Sequence, residues 1–248
     1  MFAVLAALAV ALGALVWSHS SSADAGAHNL VLRSPDGTEQ SAQDAEQFLT
    51  AVTQDVDAYW TRVFADAGRP EPRVSYAWIP SGQTASSACG GESGAMGDDA
   101  AAYCPADDTI YISEQFATNI YTGALDRALP GSAHGYGGTA GDFAVAYIVA
   151  HEYGHQIQHE LGVFDRELPT VAYELQADCY AGNWARSAYD DQRVEDGDLQ
   201  EALDAALAVG DFDTSNPGHH GTPEQRREAW TTGFEAGDPS TCSQYLDA

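Results

Sequence analysis

The segment DFAVAYIVAHEYGHQIQHELG, residues 142–162, constrains the fold of this chain more than any other. Its period predicts a helix over 142–161, with Asp142 near the start and Gly162 just past the end. His151 and His155 lie one turn apart on this helix, so both imidazoles can reach one point. The predicted core stripe consists of Phe143, Tyr147, Ala150, Gly154, Ile157 and Leu161.

The histidine spacing is the one that a catalytic zinc ion needs. Such an ion takes two imidazoles at positions i and i+4, a third protein ligand and a water molecule. Glu152 lies further round the helix, where it can act as the base that accepts a proton from that water. The alternative is a surface helix with two ordinary histidines. Gly154 costs about 1 kcal/mol relative to alanine inside a helix, which predicts a close packing contact there.

The candidate third ligand lies nineteen residues after His155, in the segment YELQADCYAG. A third histidine six residues after the second is another known pattern, but position 161 is leucine. Glu174 and Asp178 are one turn apart on a predicted helix over 171–188. Glu174 can therefore bind the metal while Asp178 accepts an imidazole N–H. A solvated acidic helix face is the alternative.

The charge balance excludes some partners. The formal net charge is −27 in 248 residues, and all ten basic residues are arginine. Like charges would have to approach each other on nucleic acid or on an anionic membrane surface, so we predict no nucleic-acid partner. The excess acid indicates a well-solvated surface and is uninformative about the substrate.

The amino terminus reads as a targeting segment. An apolar run over residues 2–17 would span roughly 24 Å as a helix, short of the roughly 30 Å of a bilayer core. Residues 1–25 therefore predict a signal peptide or a short membrane anchor, with Ala23-Asp24-Ala25 as a cleavage site. Residues 26–43 predict a flexible linker, and 44–248 the folded domain. The domain is predicted to lie outside the cytoplasm, either secreted or membrane-anchored.

The four cysteines agree with export. An even number of cysteines in an exported chain predicts two disulfides, for which three connectivities exist. The local choice is Cys89–Cys104, which leaves Cys179 and Cys242 to tie the C-terminal tail to the ELQADC segment. A tetracysteine metal site is the weaker alternative, because the chain has no Cys-x-x-Cys pair.

The remaining periodicity predicts an α+β fold that is mostly helical with a small sheet. Two short runs, RVSYAWIP and DTIYIS, have β-type composition. We expect DTIYIS to line a substrate cleft, since extended peptides commonly pair with a sheet edge. Further helices are predicted over 44–68, 198–208 and the segment after Thr222-Pro223.

Several separated segments together resemble one protein family. AYIVAHEYGHQIQHELG, ELQADCYAGNWA, SSACGGESGAMGDDAAAYCPADDTIYIS and HHGTPEQRREAWTTGFEAGDPSTC are similar, in this order, to the bacterial neutral zinc metallopeptidases, which are related in pattern to gluzincins. The resemblance runs from about residue 44 to the C-terminus. It implies a zincin-like fold and one zinc ion per chain.

The resemblance also implies roles for particular residues. His151, His155 and Glu174 would be the zinc ligands, Glu152 the catalytic base, and Asp178 the partner of His151. Family members carry an N-terminal membrane segment, which favours a tether through residues 2–17. The implied function is hydrolysis of peptide or protein substrates.

Two other functions remain open from the sequence. One is a non-catalytic zinc-containing domain that binds envelope or surface material, against which an intact Glu152 argues. The other is hydrolysis of a non-peptide amide with the same metal chemistry.

The donor that would stabilise the oxyanion is less well defined. Gluzincins use a donor from the C-terminal half, and the segment HHGTPEQR makes His220 the candidate, with Arg226 fixing the loop. Tyr153 and Tyr173 are alternative donors. Two surface histidines in a Gly/Pro loop are the plain interpretation of the same segment.

Overall fold

The computed structural model describes residues 42–247, so the predicted N-terminal segment lies outside it, as does the linker apart from Ala42 and Gln43. The helices and strands, in chain order, are α1 (Ala42–Asp66), β1 (Ser75–Ile79), β2 (Ala85–Ser86), β3 (Ala95–Met96), β4 (Ala101–Cys104), β5 (Thr109–Ser113), α2 (Glu114–Tyr121), α3 (Asp142–Glu160), α4 (Thr170–Asp190), α5 (Asp198–Val209) and α6 (Pro223–Ala236). Within this range, no helix is both long and apolar enough to cross a membrane.

The predicted α+β class is confirmed, with helices dominating a small sheet. Three strands form one sheet in the order β1-β5-β4, in which β1 runs parallel to β5 and β4 runs antiparallel to it. The pair β2-β3 forms a separate two-stranded ribbon. The sheet packs on one side of α3, and this places β4 beside the histidine-bearing helix.

The expectation that DTIYIS offers a free edge to substrate is wrong. This segment is β5, which is paired along both sides, with Ile110 opposite Tyr76 of β1 and Tyr103 of β4. The strand that covers it, AAYC, is rich in alanine and has no β-type signature, so its sequence predicts a continuation of the cysteine loop. The edge strand nearest α3 is therefore β4.

Helix α3 is the centre of the molecule rather than a helix with one buried stripe. Every residue from Phe143 to Gln158 is buried, because α1, α4, α5 and the sheet all pack around this helix. The single-face prediction for 142–161 was too narrow. The same burial removes the alternative of a surface helix with ordinary histidines, since His151 is 5% exposed and His155 is 8% exposed.

Small residues let the neighbouring helices approach closely. A Cβ atom at Gly154 would lie 3.0 Å from both Cα and the carbonyl oxygen of Ala177 on α4, which is the close contact that the helical glycine predicted. Helices α4 and α6 meet in the same way, since a Cβ atom at Gly182 would lie 2.1 Å from the carbonyl oxygen of Trp230. These contacts fix α3, α4 and α6 against one another.

Two disulfides close the fold in the favoured arrangement. Cys89 pairs with Cys104, and Cys179 of α4 pairs with Cys242 in the C-terminal 3-10 turn Pro239–Leu246. The second bond spans 63 positions of the chain. It ties the C-terminal segment directly to the residue after Asp178.

Candidate metal centre

The two histidines of α3 point into a common space. The centroids of the His151 and His155 rings are 4.8 Å apart and the ring planes are nearly perpendicular. This follows from the spacing of one helical turn, which stacks the two side chains on one flank. Both rings are buried among other side chains, so their positions are set by packing.

Helix α4 brings Glu174 to both rings. Its Oε2 lies 3.3 Å from Nε2 of His151, and its Oε1 lies 3.5 Å from Nε2 of His155. The close crossing of α3 and α4 at Gly154 and Ala177 makes this approach possible. The structure thus brings together the three side chains that the sequence predicted as ligands.

The donor set fits a zinc ion. Two imidazole nitrogens and a carboxylate oxygen are common zinc ligands, with bonds of about 2.0–2.2 Å. Tetrahedral coordination at those bond lengths separates neighbouring donors by about 3.4 Å. The two oxygens of Glu174 each lie near that distance from one imidazole nitrogen, Oε2 at 3.3 Å from His151 and Oε1 at 3.5 Å from His155. One donor atom from each of the three residues also lies within 4.8 Å of the other two. The residues present therefore fit a zinc ion that keeps one position for a non-protein ligand.

Asp178 orients His151, as its one-turn spacing from Glu174 predicted. Its Oδ1 lies 2.8 Å from Nδ1 of His151 and also accepts the Tyr147 hydroxyl at 2.6 Å. Nδ1 of His151 therefore carries the hydrogen, and Nε2 faces Glu174. Burial lowers the pKa of His151, but the Asp178 carboxylate outweighs burial and raises the pKa to about 9.

Arg226 supplies a buried positive charge to this cluster. Its Nε donates to Oδ2 of Asp178 at 2.8 Å and its Nη2 donates to Oδ1 at 2.9 Å. Nη2 also lies 3.7 Å from Oε2 of Glu174. Burial alone would raise the pKa of both carboxyl groups, yet the neighbouring Arg226 and histidines lower them below their usual range.

Glu152 faces the edge strand. Its Oε2 accepts the main-chain N–H of Tyr103 on β4 at 2.8 Å, and the residue is 8% exposed. The strand therefore holds one carboxylate oxygen in place. The role of base that the sequence predicts for Glu152 stays a prediction.

His155 has a neutral neighbour where His151 has a carboxylate. Its Nδ1 lies 2.9 Å from Oε1 of Gln158, which is fully buried. The Gln158 amide nitrogen donates to the carbonyl oxygen of Tyr173 and to the side chain of Gln176. Periodicity and spacing provide no physical reason to assign Gln158 a role.

The predicted oxyanion donor lies in a loop that abuts α4. The main-chain N–H of His220 donates to Oδ2 of Asp211 at 2.8 Å, and its ring nitrogen Nδ1 lies 3.5 Å from the same oxygen. The neighbouring His219 ring is buried against Asp211. A Cβ atom at Gly221 would lie 3.1 Å from the side chain of Leu175, the residue that follows Glu174 on α4. The loop therefore packs against the part of α4 that carries Glu174. Within residues 42–247, the His220 ring makes no hydrogen bond to the three candidate ligands.

The alternative tyrosine donors are engaged elsewhere. The Tyr153 hydroxyl donates to Asp57 of α1, and the Tyr173 hydroxyl donates to the carbonyl oxygen of Arg166. Neither hydroxyl is directed at the candidate centre. His159 contacts the Tyr103 ring near the C-terminal end of α3 and is not one of the three candidate ligands.

A second group of close ionisable side chains lies at the start of α3. Asp142, Asp198 and Glu201 bring one oxygen each within 4.8 Å of one another. Glu201 accepts the N–H of Phe143, so it caps α3 from α5. Burial, followed by repulsion from Asp198 and Glu201, raises the pKa of Asp142 to about 7.

The sequence did not predict several of the contacts around the three candidate ligands. Tyr147 was placed in the core stripe, although its hydroxyl binds Asp178. Arg226 was expected to fix a loop, whereas its buried side chain binds Asp178, 48 positions away. A pair of adjacent arginines, Arg226 and Arg227, in an acidic chain was the available signal, but it indicated no partner. The Tyr103 contact is a main-chain one, which leaves no trace in the side-chain pattern.

Comparison with known proteins agrees with this geometry. The family model described as "Putative neutral zinc metallopeptidase" matches residues 3–245. "Uncharacterized protein YpfJ" of Escherichia coli strain K12 is 34% identical over 226 residues, which cover 82% of this chain and 72% of the relative. "Uncharacterized protein Rv2575" of Mycobacterium tuberculosis strain H37Rv is 33% identical over 240 residues, covering 84% of this chain and 75% of the relative. No solved structure matches the chain.

Proposed function

The chain belongs to this neutral zinc metallopeptidase family, and we propose that it is a zinc-dependent peptidase that acts outside the cytoplasm. The observation that carries the proposal is the convergence of His151, His155 and Glu174, with donor separations of 3.3 and 3.5 Å, beside a buried Glu152. Mixed imidazole and carboxylate donors next to a free carboxylate are the components of metal-assisted hydrolysis.

The division of labour follows from the contacts. A bound zinc ion would acidify a water molecule and polarise the substrate carbonyl group. Glu152 would take the proton of the attacking water on Oε1, because its Oε2 is held by the Tyr103 N–H. The same oxygen would then pass the proton to the departing amine. Asp178 and Arg226 would keep His151 in one orientation throughout.

The edge of β4 that faces away from β5 offers a place for the substrate backbone. Alternate residues of an antiparallel strand face the same way, and the Tyr103 N–H faces Glu152 rather than β5. Ala101, two positions earlier, therefore also directs its main-chain groups away from β5. An extended peptide that pairs with these groups would lie next to the candidate base.

The proposal includes a location outside the cytoplasm and a membrane tether. Two disulfides support folding in an oxidising compartment, where such bonds persist. A membrane tether through residues 2–17 would keep the peptidase at the cell surface, and cleavage after residue 25 would release it. The formal net charge of −27 argues against nucleic-acid partners.

A Glu152→Gln variant tests the proposal. We expect it to keep zinc, because Glu152 is not among the three donors, and to lose about 10²–10⁴-fold in kcat on a casein or peptide-library substrate. Zinc content and cleavage with and without a chelator are the measurements. Glu160→Gln, an exposed change later on the same helix, is the matched control.

Three outcomes are informative. Substantial cleavage by the Glu152→Gln variant would remove Glu152 from its role. Zinc binding by the wild-type protein without cleavage of any protein substrate would favour the non-catalytic binding domain. Release of fragments from peptidoglycan, but not from protein, would favour hydrolysis of a different amide.

A further inference from the structure

The amide of Gln158 occupies the position beside His155 that Asp178 occupies beside His151. Its Oε1 lies 2.9 Å from Nδ1 of His155, one turn along α3. Its Nε2 donates to the carbonyl oxygen of Tyr173 at 2.7 Å and to Oε1 of Gln176 at 3.1 Å. The amide therefore bridges α3 and α4 at the side of the metal cluster.

The neighbours of this amide fix its orientation. A main-chain carbonyl oxygen only accepts hydrogen bonds, so the NH₂ group of Gln158 must face Tyr173 and its oxygen must face His155. Since that oxygen also only accepts, Nδ1 of His155 must carry the hydrogen. In the neutral ring, Nε2 of His155 then has its lone pair available for a metal, and this nitrogen lies 3.5 Å from Oε1 of Glu174.

Gln176 connects the Gln158 amide to the C-terminal segment. It is 1% exposed, and its Nε2 lies 3.4 Å from the carbonyl oxygen of Cys242. Cys242 is itself bonded to Cys179 of α4. The two glutamines thus connect main-chain carbonyl groups at Tyr173 and Cys242, and rotation of either amide would leave a buried polar group without its partner.

We propose that Gln158 is a positioning residue for the metal centre. It selects the form of His155 that carries hydrogen on Nδ1 and holds the ring with Nε2 towards the metal. This inference rests on the proposed zinc binding and goes beyond it, because it assigns a function to a residue outside the ligand set. A passive link between two helices is the competing role.

Substitution of Gln158 by methionine tests the proposal, because methionine has a similar length but no strong acceptor for the His155 N–H. We expect zinc affinity, measured by competition with a chromophoric chelator, to fall about 10–100-fold. Gln176→Met is the matched control. It removes a similar buried amide but keeps the direct acceptor, so its affinity should fall by less than about threefold.

Equal effects would overturn the proposal. If Gln158→Met and Gln176→Met lower the melting temperature alike and zinc affinity stays at the wild-type value, Gln158 is only a link between helices.

A measurement on the wild-type protein covers the case in which Gln158→Met does not fold. Long-range proton–nitrogen NMR correlations of the zinc-loaded protein should show hydrogen on Nδ1 of His155 and the metal on Nε2. Coordination through Nδ1 would overturn the proposal. His155→Ala separates the two levels of inference: if wild type and His155→Ala bind zinc equally, the proposed function fails too. If His155→Ala loses zinc and a folded Gln158→Met keeps full affinity, only the role of Gln158 fails.

Discussion

Helix α3 carries two clusters of ionisable side chains, and they differ in what balances their negative charge. At its first residue, Asp142 lies close to Asp198 and Glu201, and this group of three contains only carboxyl groups. In its middle, His151 and His155 meet Glu174, with Asp178 and Arg226 behind them. Both groups bring oxygen or nitrogen atoms within 4.8 Å of one another.

The two clusters differ in the direction in which the pKa values of their carboxyl groups shift. Burial and repulsion from Asp198 and Glu201 raise the pKa of Asp142, at the start of α3, to about 7. The Asp142 carboxyl group is therefore protonated more readily than that of an ordinary aspartate. Burial acts in the same direction on Glu174, but the histidines and Arg226 outweigh it and lower the pKa. Close carboxyl groups are therefore a weak sign of a metal site, whereas mixed donors with hydrogen-bonded support are a strong one.

The largest expected effect comes from removing one carboxylate from each cluster. Glu174→Ala should reduce the bound zinc to nearly none, because it deletes one of the three candidate ligands. Glu201→Ala removes a carboxylate from the other cluster and should leave zinc content unchanged. Metal analysis of both purified variants makes the measurement. Equal zinc loss in the two would erase the distinction between the clusters.

A smaller effect should follow from removing the arginine that lies beside the candidate zinc ligands. The change makes this group more like that of Asp142, Asp198 and Glu201, which contains only carboxyl groups. Arg226→Met leaves the fully buried Asp178 without its cation, which should lower the free energy of unfolding by about 3–5 kcal/mol. Arg227→Met, the exposed neighbour on α6, is the matched control and should cost little. Urea denaturation of both variants is the measurement. Comparable stability would mean that Arg226 does not compensate this charge.

The smallest effect concerns pH and the acidic cluster. The folded-state pKa of Asp142, about 7, exceeds the ordinary value of 3.8, so the folded protein binds more protons than the unfolded chain between these values. Stability from this group is thus present at low pH and is lost as pH rises through about 7. Asp142→Asn should therefore stabilise the protein by about 1–2 kcal/mol at pH 8, after discounting for solvent screening, and by much less at pH 4.

Thermal denaturation across this pH range measures the effect. A gain in stability that does not depend on pH would show that the ionised Asp142 is not destabilised by the neighbouring carboxyl groups. Glu224→Gln, an exposed acidic position in the first turn of α6, provides a control for the loss of one negative charge.

The sequence predicted those features that depend on spacing within one helix. The i and i+4 pairs His151/His155 and Glu174/Asp178 each lie within a single element, so periodicity alone places them on one face. Helix α6 was also predictable, because Thr222 forms a capping box with Gln225 and Pro223 opens the first turn. That Glu174 and His151 would meet came from metal chemistry and family resemblance rather than from periodicity.

Features that depend on distant packing were not predictable in the same way. The covering of β5 by β4 was missed because an alanine-rich strand carries almost no local signal. Arg226 reaches Asp178 only because α4 and α6 pack closely at Gly182 and Gly233. Such contacts are set by the tertiary arrangement, which leaves no periodic pattern in the chain.

The buried arginine also bears on how the protein would behave when it loses its ion. Small zinc domains unfold on chelation, since the metal is their main source of cohesion. Here Arg226 and a continuous core around α3 supply that cohesion from the polypeptide itself. We therefore expect chelation to inactivate the protein without unfolding it, so that returning the metal restores activity without a refolding step.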